Sequence, residues 1–216
     1  MQQQLQKYNH LLVERNKVVN LTAHRTIEDS QKYNIDDSLL FLDIVQKCTQ
    51  DGTKCLDLGS GGGSPAIPLK IMIPQLDMTM VDSVNKKVTF LNDTIAELGL
   101  ENARAIHSRI ESHCEFAKQS MDIITARAVA PLNTLLEYAL PLLRVGGVLL
   151  AYKGRNATEE IAQAQNALRI LGGEVLETIE RNLDPDTLRS LIVIKKIRPT
   201  PKSYPRGKNL PRLKPL

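Results

Sequence analysis

Asp57, Gly59, Gly61 and Gly63 stand at alternate positions, and a second acid, Asp82, follows Gly63 by nineteen residues. The first acid sits inside the apolar run Cys55–Leu58, and the second closes the run Met78–Val81. Glycine carries no Cβ, so a ligand can press against the backbone of such a loop. A carboxylate at the end of the next strand can accept from both hydroxyls of a ribose. Residues of these types at this spacing build a site for an adenosine-bearing cofactor. Two bases close later apolar runs, Arg127 and Lys153, and both are candidates to face the reacting centre. His10, His24, His107 and His113 show no metal-ligand spacing, and Cys48, Cys55 and Cys114 form no CxxC, so no metal is expected.

Two cofactors compete for the glycine loop. Gly61-Gly62-Gly63-Ser64-Pro65-Ala66 fits the G-x-G-x-x-A fingerprint of nicotinamide and flavin dinucleotides. Asp57 with Gly59, Gly61 and Gly63 fits Asp-x-Gly-x-Gly-x-Gly, the pattern of S-adenosylmethionine-dependent methyltransferases. Asp57 favours the second, because a carboxylate beside a pyrophosphate is repelled, whereas it can hold the loop or meet an ammonium group. On this reading Gly59 to Ser64 back the methionine part, and Asp82 with Ser83 takes the ribose. Ile110 walls the adenine, Glu111 meets its exocyclic amine, and Arg127 faces the methyl group.

These residues need an open α/β sheet to carry them. Apolar runs at Cys55–Leu58, Met78–Val81, Ala103–Ile106, Asp122–Thr125 and Val148–Tyr152 alternate with helical patterns. The helical stretches are Pro65–Ile73, Lys86–Leu98, a short one near Glu111–Ala117, and Pro131–Leu143. Arg155–Leu171 reads as one more helix, closed by Gly172-Gly173. Alternation of this kind predicts a Rossmann-like, mostly parallel sheet. Glu174–Ile179 and Ser190–Ile197 lie close enough to pair antiparallel, which predicts seven strands with an antiparallel edge strand. Two amphipathic stretches ahead of the first strand, residues 4–20 and the one beginning at Asp36 or Asp37, predict an N-terminal helical cap. The expected organisation is a cap over 1–47, a methyltransferase core over 48–197 and a tail over 198–216.

A chain of 216 residues with 42% hydrophobic and 24% charged content has the composition of one soluble globule. No apolar run approaches the roughly 20 residues of a membrane helix, and Met1-Gln2-Gln3-Gln4 lacks signal-peptide character, so a cytoplasmic monomer is expected. The net charge of +4 conceals an asymmetry: residues 195–216 carry eight bases and no acid, which leaves the remainder at −4. With five prolines the tail is expected to be extended and to meet a polyanion, most simply nucleic acid, together with Lys86 and Lys87.

The pieces Tyr8-Asn9, Asn20-Leu21-Thr22-Ala23, Asp37-Ser38-Leu39, the Asp57–Gly63 loop, Asp82-Ser83, Arg109-Ile110-Glu111, Ala126-Arg127-Ala128, Tyr152-Lys153-Gly154 and the closing Tyr204-Pro205-Arg206 span nearly the whole chain. In them the sequence resembles the ribosomal RNA small subunit methyltransferase G group (RsmG, or GidB). The resemblance implies methylation of N7 of one guanine in 16S rRNA, with the small ribosomal subunit or its precursor as partner. It also implies cofactor contacts from Gly59, Ser64, Ile110, Glu111 and Arg127. The chain departs from the group where Ser64, Ala66, Asn34 and Asn209 stand. Guanine N7 carries a free lone pair, so attack on a sulfonium methyl needs no base to remove a proton first. The rival readings are a non-catalytic cofactor-binding RNA module, a methyltransferase of small amines and an NAD(P)-dependent oxidoreductase.

Overall fold

The computed structural model describes residues 1–111, 118–207 and 209–216. His113, Cys114, Lys208 and most of the short helix expected near Glu111–Ala117 lie outside the described residues. The chain divides into two compact units, Met1–Ser108 and Arg109–Leu216.

The first unit opens with α1 (Gln2–Asn16), whose Tyr8, Leu12 and Val13 are buried. Helical backbone resumes earlier than the sequence indicates. It runs through α2 (Ile27–Ser30), a π-helical segment Gln31–Asp36 and α3 (Asp37–Leu39), before α4 (Leu42–Lys47). Thr26 starts it by accepting from the Asp29 amide, an N-cap bond. Three parallel strands follow: β1 (Lys54–Leu58), β2 (Asp77–Asp82) and β3 (Ala103–His107), with β2 between the others. Two of them, β1 and β2, are buried along nearly their whole length, as a parallel strand covered on both faces must be. Crossovers are made by α5 (Ala66–Met72) and α6 (Asn85–Leu98). The α6 helix stops at Gly99, which takes the left-handed conformation at φ +62°. Buried Lys70 closes the turn after α5 by donating to the carbonyls of Pro74 and Leu76, each at 2.6 Å.

The second unit holds β4 (Met121–Arg127), α7 (Leu132–Ala139), β5 (Leu143–Lys153), α8 (Ala157–Gln163), α9 (Gln165–Leu171), β6 (Gly173–Asp184), β7 (Thr187–Lys196) and α10 (Leu210–Leu213). Strands β4 and β5 are parallel, and β7 runs antiparallel to both β5 and β6. Within the first unit the strand order is β3-β2-β1 and within the second β4-β5-β7-β6, which matches the expected seven mostly parallel strands with antiparallel pairing at the edge.

Three expectations need correction. The helix expected over Pro131–Leu143 ends at Ala139, because β5 begins at Leu143 and continues through Gly146-Gly147. Arg155–Leu171 is two helices rather than one, parted at Ala164. The tail is not an extended arm: it turns through α10 and buries Pro211.

Candidate active site

The glycine loop is shaped by contacts within the first unit. The amides of Gly59 and Ser60 both donate to the Val81 carbonyl, at 2.8 and 3.1 Å, which ties the loop to the end of β2. Gly61 sits at φ +56°, and a Cβ built on it meets nothing closer than 3.9 Å, so the loop is open at this point. Gly63 differs. A Cβ there would lie 2.6 Å from Ile67 Cγ1 and 3.1 Å from Leu91, so its missing side chain lets α5 and α6 close in. Of the glycines singled out from the sequence, Gly61 presents open backbone and Gly63 makes room for the core.

Asp82 carries the loop as well as facing it. Its Oδ2 accepts from the Gly61 amide at 2.9 Å and its Oδ1 from the Val84 amide at 2.9 Å, with the side chain buried. Ser83 is exposed, and its carbonyl takes a hydrogen bond from His107 Nε2 at 3.1 Å, which gives that histidine a structural partner. Asp57 is buried in β1, and its carbonyl accepts from the Ser60 hydroxyl.

Behind the loop stands a residue that the sequence did not single out for the site. Tyr8, fully buried on α1, donates its hydroxyl to the Gly62 carbonyl at 2.8 Å and lies 3.3 Å from the Ser64 hydroxyl. Ser64 in turn donates to the Asn34 carbonyl at 3.2 Å. Asn34 is held by its side chain, accepting from Thr22 and donating to Ser30. The N-terminal helices thus buttress the glycine turn from behind, with the π-helical segment supplying the carbonyl.

The second unit carries the remaining candidates. Ile110 and Glu111 are helical and half-buried, and Glu111 Oε1 is 3.4 Å from the Tyr138 hydroxyl. Arg127 ends β4, followed by Ala128 in the left-handed region at φ +56°. An alanine held there is strained, and strain of this kind collects where surrounding contacts fix a loop. Those contacts are visible: Lys153 Nζ donates to the Ala130 carbonyl at 2.8 Å and to Glu160 Oε2 at 2.6 Å. The same Glu160 oxygen accepts from the Leu132 amide at 2.7 Å. Lys153 and Glu160 are only 10% and 24% exposed, so this pair is well shielded. The acid that engages Lys153 is therefore Glu160, on α8.

Tail bases also differ from the sequence picture. Lys196 is fully buried, donating to the Leu140 carbonyl at 2.5 Å and to Thr200, and burial lowers its pKa to about 8, with nearby Arg198 adding to the effect. Arg206 grips buried Glu137, which raises the pKa of its guanidinium further. Lys195, Arg198, Lys202, Arg212 and Lys214 are exposed. No group of three or more His, Cys, Asp and Glu able to hold a metal occurs among the described residues. No helix among them is long and apolar enough to cross a membrane.

Residues 1–186 match the family model for rRNA small subunit methyltransferase G, GidB. The chain belongs to that family. Proteins named ribosomal RNA small subunit methyltransferase G agree along nearly the full length. That of Alkaliphilus metalliredigens is 43% identical over 99% of this chain and 90% of its own. That of Chloroflexus aggregans is 43% identical over 99% and 89%. Solved structures share the fold at low identity. An rRNA methylase from Streptococcus thermophilus superposes with a TM-score of 0.56 at 16% identity, covering 74% of this chain and 95% of the other. TYW2 of M. jannaschii, solved in complex with AdoMet, gives 0.58 at 16% identity over 76% of each chain. The GidB architecture here is that of the class I S-adenosylmethionine-dependent methyltransferases.

Sequence reasoning missed Tyr8, Glu160 and Glu137. Tyr8 carried a signal, since it belongs to the Tyr8-Asn9 pair quoted in the resemblance. Glu160 and Glu137 carried none, because each finds its basic partner through the fold.

Proposed function

We propose that this GidB-family RNA methyltransferase, using S-adenosylmethionine, methylates N7 of a guanine in 16S rRNA of the small ribosomal subunit or its precursor, in the cytoplasm. The observation that carries the reading is the tie between Asp82 and the Gly61 amide, which fixes an acid beside an open glycine turn. A carboxylate has about four lone-pair sites, so after two backbone amides Asp82 keeps capacity for a ribose diol. These residues fit the cofactor, whose sulfonium would supply an activated methyl group.

Gly59, Gly61, Gly63, Ser64 and Asp57 would hold the methionine portion, with Asp82 and Ser83 at the ribose, and Ile110 and Glu111 at the adenine. The protein's share of the chemistry is positioning, because N7 already bears its lone pair and there is no proton to remove. We assign Arg127 to the reacting centre, where a guanidinium can grip guanine O6 or a neighbouring phosphate. Lys153, first read as a second group at that centre, is engaged by Glu160 and the Ala130 carbonyl; we assign it to holding the loop that follows Arg127. A guanine in a folded RNA must swing out of its stack to reach such a site.

The test is to react the protein and S-adenosylmethionine with small-subunit rRNA lacking the mark, then map the product by mass spectrometry. A single N7-methylguanine is expected. Methylation on another base or another guanine atom would refute the specificity, and cofactor binding with no transfer would support the non-catalytic module.

A further inference from the structure

Within the first unit, the His24 and Tyr33 rings stack with centroids 4.5 Å apart and planes 19° from parallel. Lys32 Nζ lies 5.0 Å from the centre of the Tyr33 ring. Aromatic side chains ordinarily go to the core, where they bury a large apolar area. Here every described tyrosine and phenylalanine is buried except Tyr33 and Tyr204. His24, Lys32 and Tyr33 are half-exposed, and Arg25, next in sequence to His24, is exposed. The stack therefore stands at the surface with cations about it.

The backbone around the pair is fixed from within. Tyr33 belongs to the π-helical segment Gln31–Asp36, which buries Asn34 and Ile35 and leaves Tyr33 partly in solvent. Segments of this kind interrupt the regular helical ladder and recur at functional sites. The His24 amide donates to the Thr22 hydroxyl at 3.3 Å, and its carbonyl accepts from the Asn16 side chain at 3.3 Å. Thr22 in turn donates to Asn34 Oδ1 at 3.1 Å, which joins the two stretches that carry the rings. One further step reaches the glycine turn, since Ser64 donates to the Asn34 carbonyl. A ring pair held in this way loses little freedom when a third ring joins it.

We infer that the His24–Tyr33 pair is a stacking platform for an unpaired nucleobase of the substrate RNA, with Lys32 and Arg25 taking the adjoining phosphates. The inference deepens the reading of the protein as an rRNA methyltransferase and rests on it. Every base presents a π-face, so such a platform grips without reading sequence, while cations beside it follow the backbone. A guanine that leaves its stack uncovers the faces of its neighbours. A surface stack tied to the support of the glycine turn covers one of them.

Methyl-transfer kinetics on small-subunit rRNA lacking the mark test this, using His24→Leu, Tyr33→Leu and, as rescues, His24→Phe and Tyr33→Phe in the full chain. Each leucine variant keeps apolar bulk but loses the ring face, so KM for RNA should rise about tenfold at unchanged kcat. The phenylalanine variants should stay within about twofold of the parent. Affinity for S-adenosylhomocysteine by calorimetry, and the melting temperature, should remain near the parental values throughout. Parent-like KM in both leucine variants overturns the platform, as do phenylalanine variants no better than the leucine ones. A rise in KM matched by lost cofactor affinity or a lowered melting temperature also overturns it, because a merely structural stack behaves that way. A parent that transfers no methyl group to rRNA refutes the enzyme reading itself, and the platform with it.

Discussion

Arg206 holds both oxygens of the fully buried Glu137 carboxylate, with Nε 2.9 Å from Oε1 and Nη2 2.7 Å from Oε2, while its own backbone amide donates to Oε1 at 2.7 Å. A bidentate guanidinium with an added amide is the arrangement that can offset the desolvation of a buried acid. Removing the base alone leaves the acid uncompensated. Arg206→Ala should therefore destabilise the protein by about 3–5 kcal/mol. Glu137→Gln with Arg206→Gln should recover part of that loss. Urea unfolding followed by circular dichroism measures both; an Arg206→Ala protein as stable as the parent would show that the tail docks without this pair.

Asp82 has two tasks, so its replacement should register twice. In Asp82→Asn the amide nitrogen faces a backbone N–H that formerly met an acceptor, a loss of about 1–3 kcal/mol. Cofactor affinity should fall by at least about tenfold at the same time. Calorimetric melting and titration on one sample separate the effects. Unchanged affinity would leave Asp82 as a loop anchor alone.

For Arg127 the expectation is the reverse pattern. Arg127→Ala should melt close to the parent yet lower the methylation rate by about two orders of magnitude, the scale for removing one well-placed donor from a reacting centre. A radiolabelled methyl-transfer assay decides; normal transfer would end its assignment.

RNA affinity should fall with salt at a log–log slope near −0.7 per phosphate contacted. Exposed Lys202 and Lys214 are free to contribute, whereas Lys196 is buried and Arg206 is committed to Glu137. Lys202→Glu with Lys214→Glu should flatten the slope by about 1.4 if both touch phosphate. Filter binding across a salt series tests this, and an identical slope would remove these two lysines from the interface.

Lys196 gives a pH signature. Its folded pKa is held at about 8 against an ordinary 10.5, chiefly by burial. Between those values the unfolded chain keeps a proton that the folded one has released, so this group makes stability rise with pH across that interval. The stability difference between the parent and Lys196→Met should therefore move in the parent's favour from pH 8 to 10. A flat difference would mean that the lysine stays charged in the fold.

What the sequence disclosed was local. The glycine spacing, Asp82 and the alternation of elements are read within a few residues of one another, and β1, β2 and β4 lie where their apolar runs predict. Gly146-Gly147 misled because a glycine pair reads as a break, whereas Gly147 lies within β5 and lets the chain pass close to the Asp122 carbonyl, 2.8 Å from where a Cβ would stand. The site's supports were hidden for a different reason. Tyr8 is 54 residues from the carbonyl that it clamps, and Glu137 is 69 from Arg206. No period or spacing encodes a partner at such distance. The tail misled by its composition: its bases suggested an arm for a polyanion, yet Lys196 is buried and Arg206 is committed to Glu137.

The clamp from Tyr8 to the Gly62 carbonyl makes the opening helix a reporter on the glycine turn. Any fraying of the opening helix withdraws a hydroxyl from behind the turn, and whatever stiffens the turn resists that fraying. Amide exchange in residues 5–13 should therefore slow when the turn is filled, and a bulky fusion crowded against Met1 should cost affinity at a place it never touches.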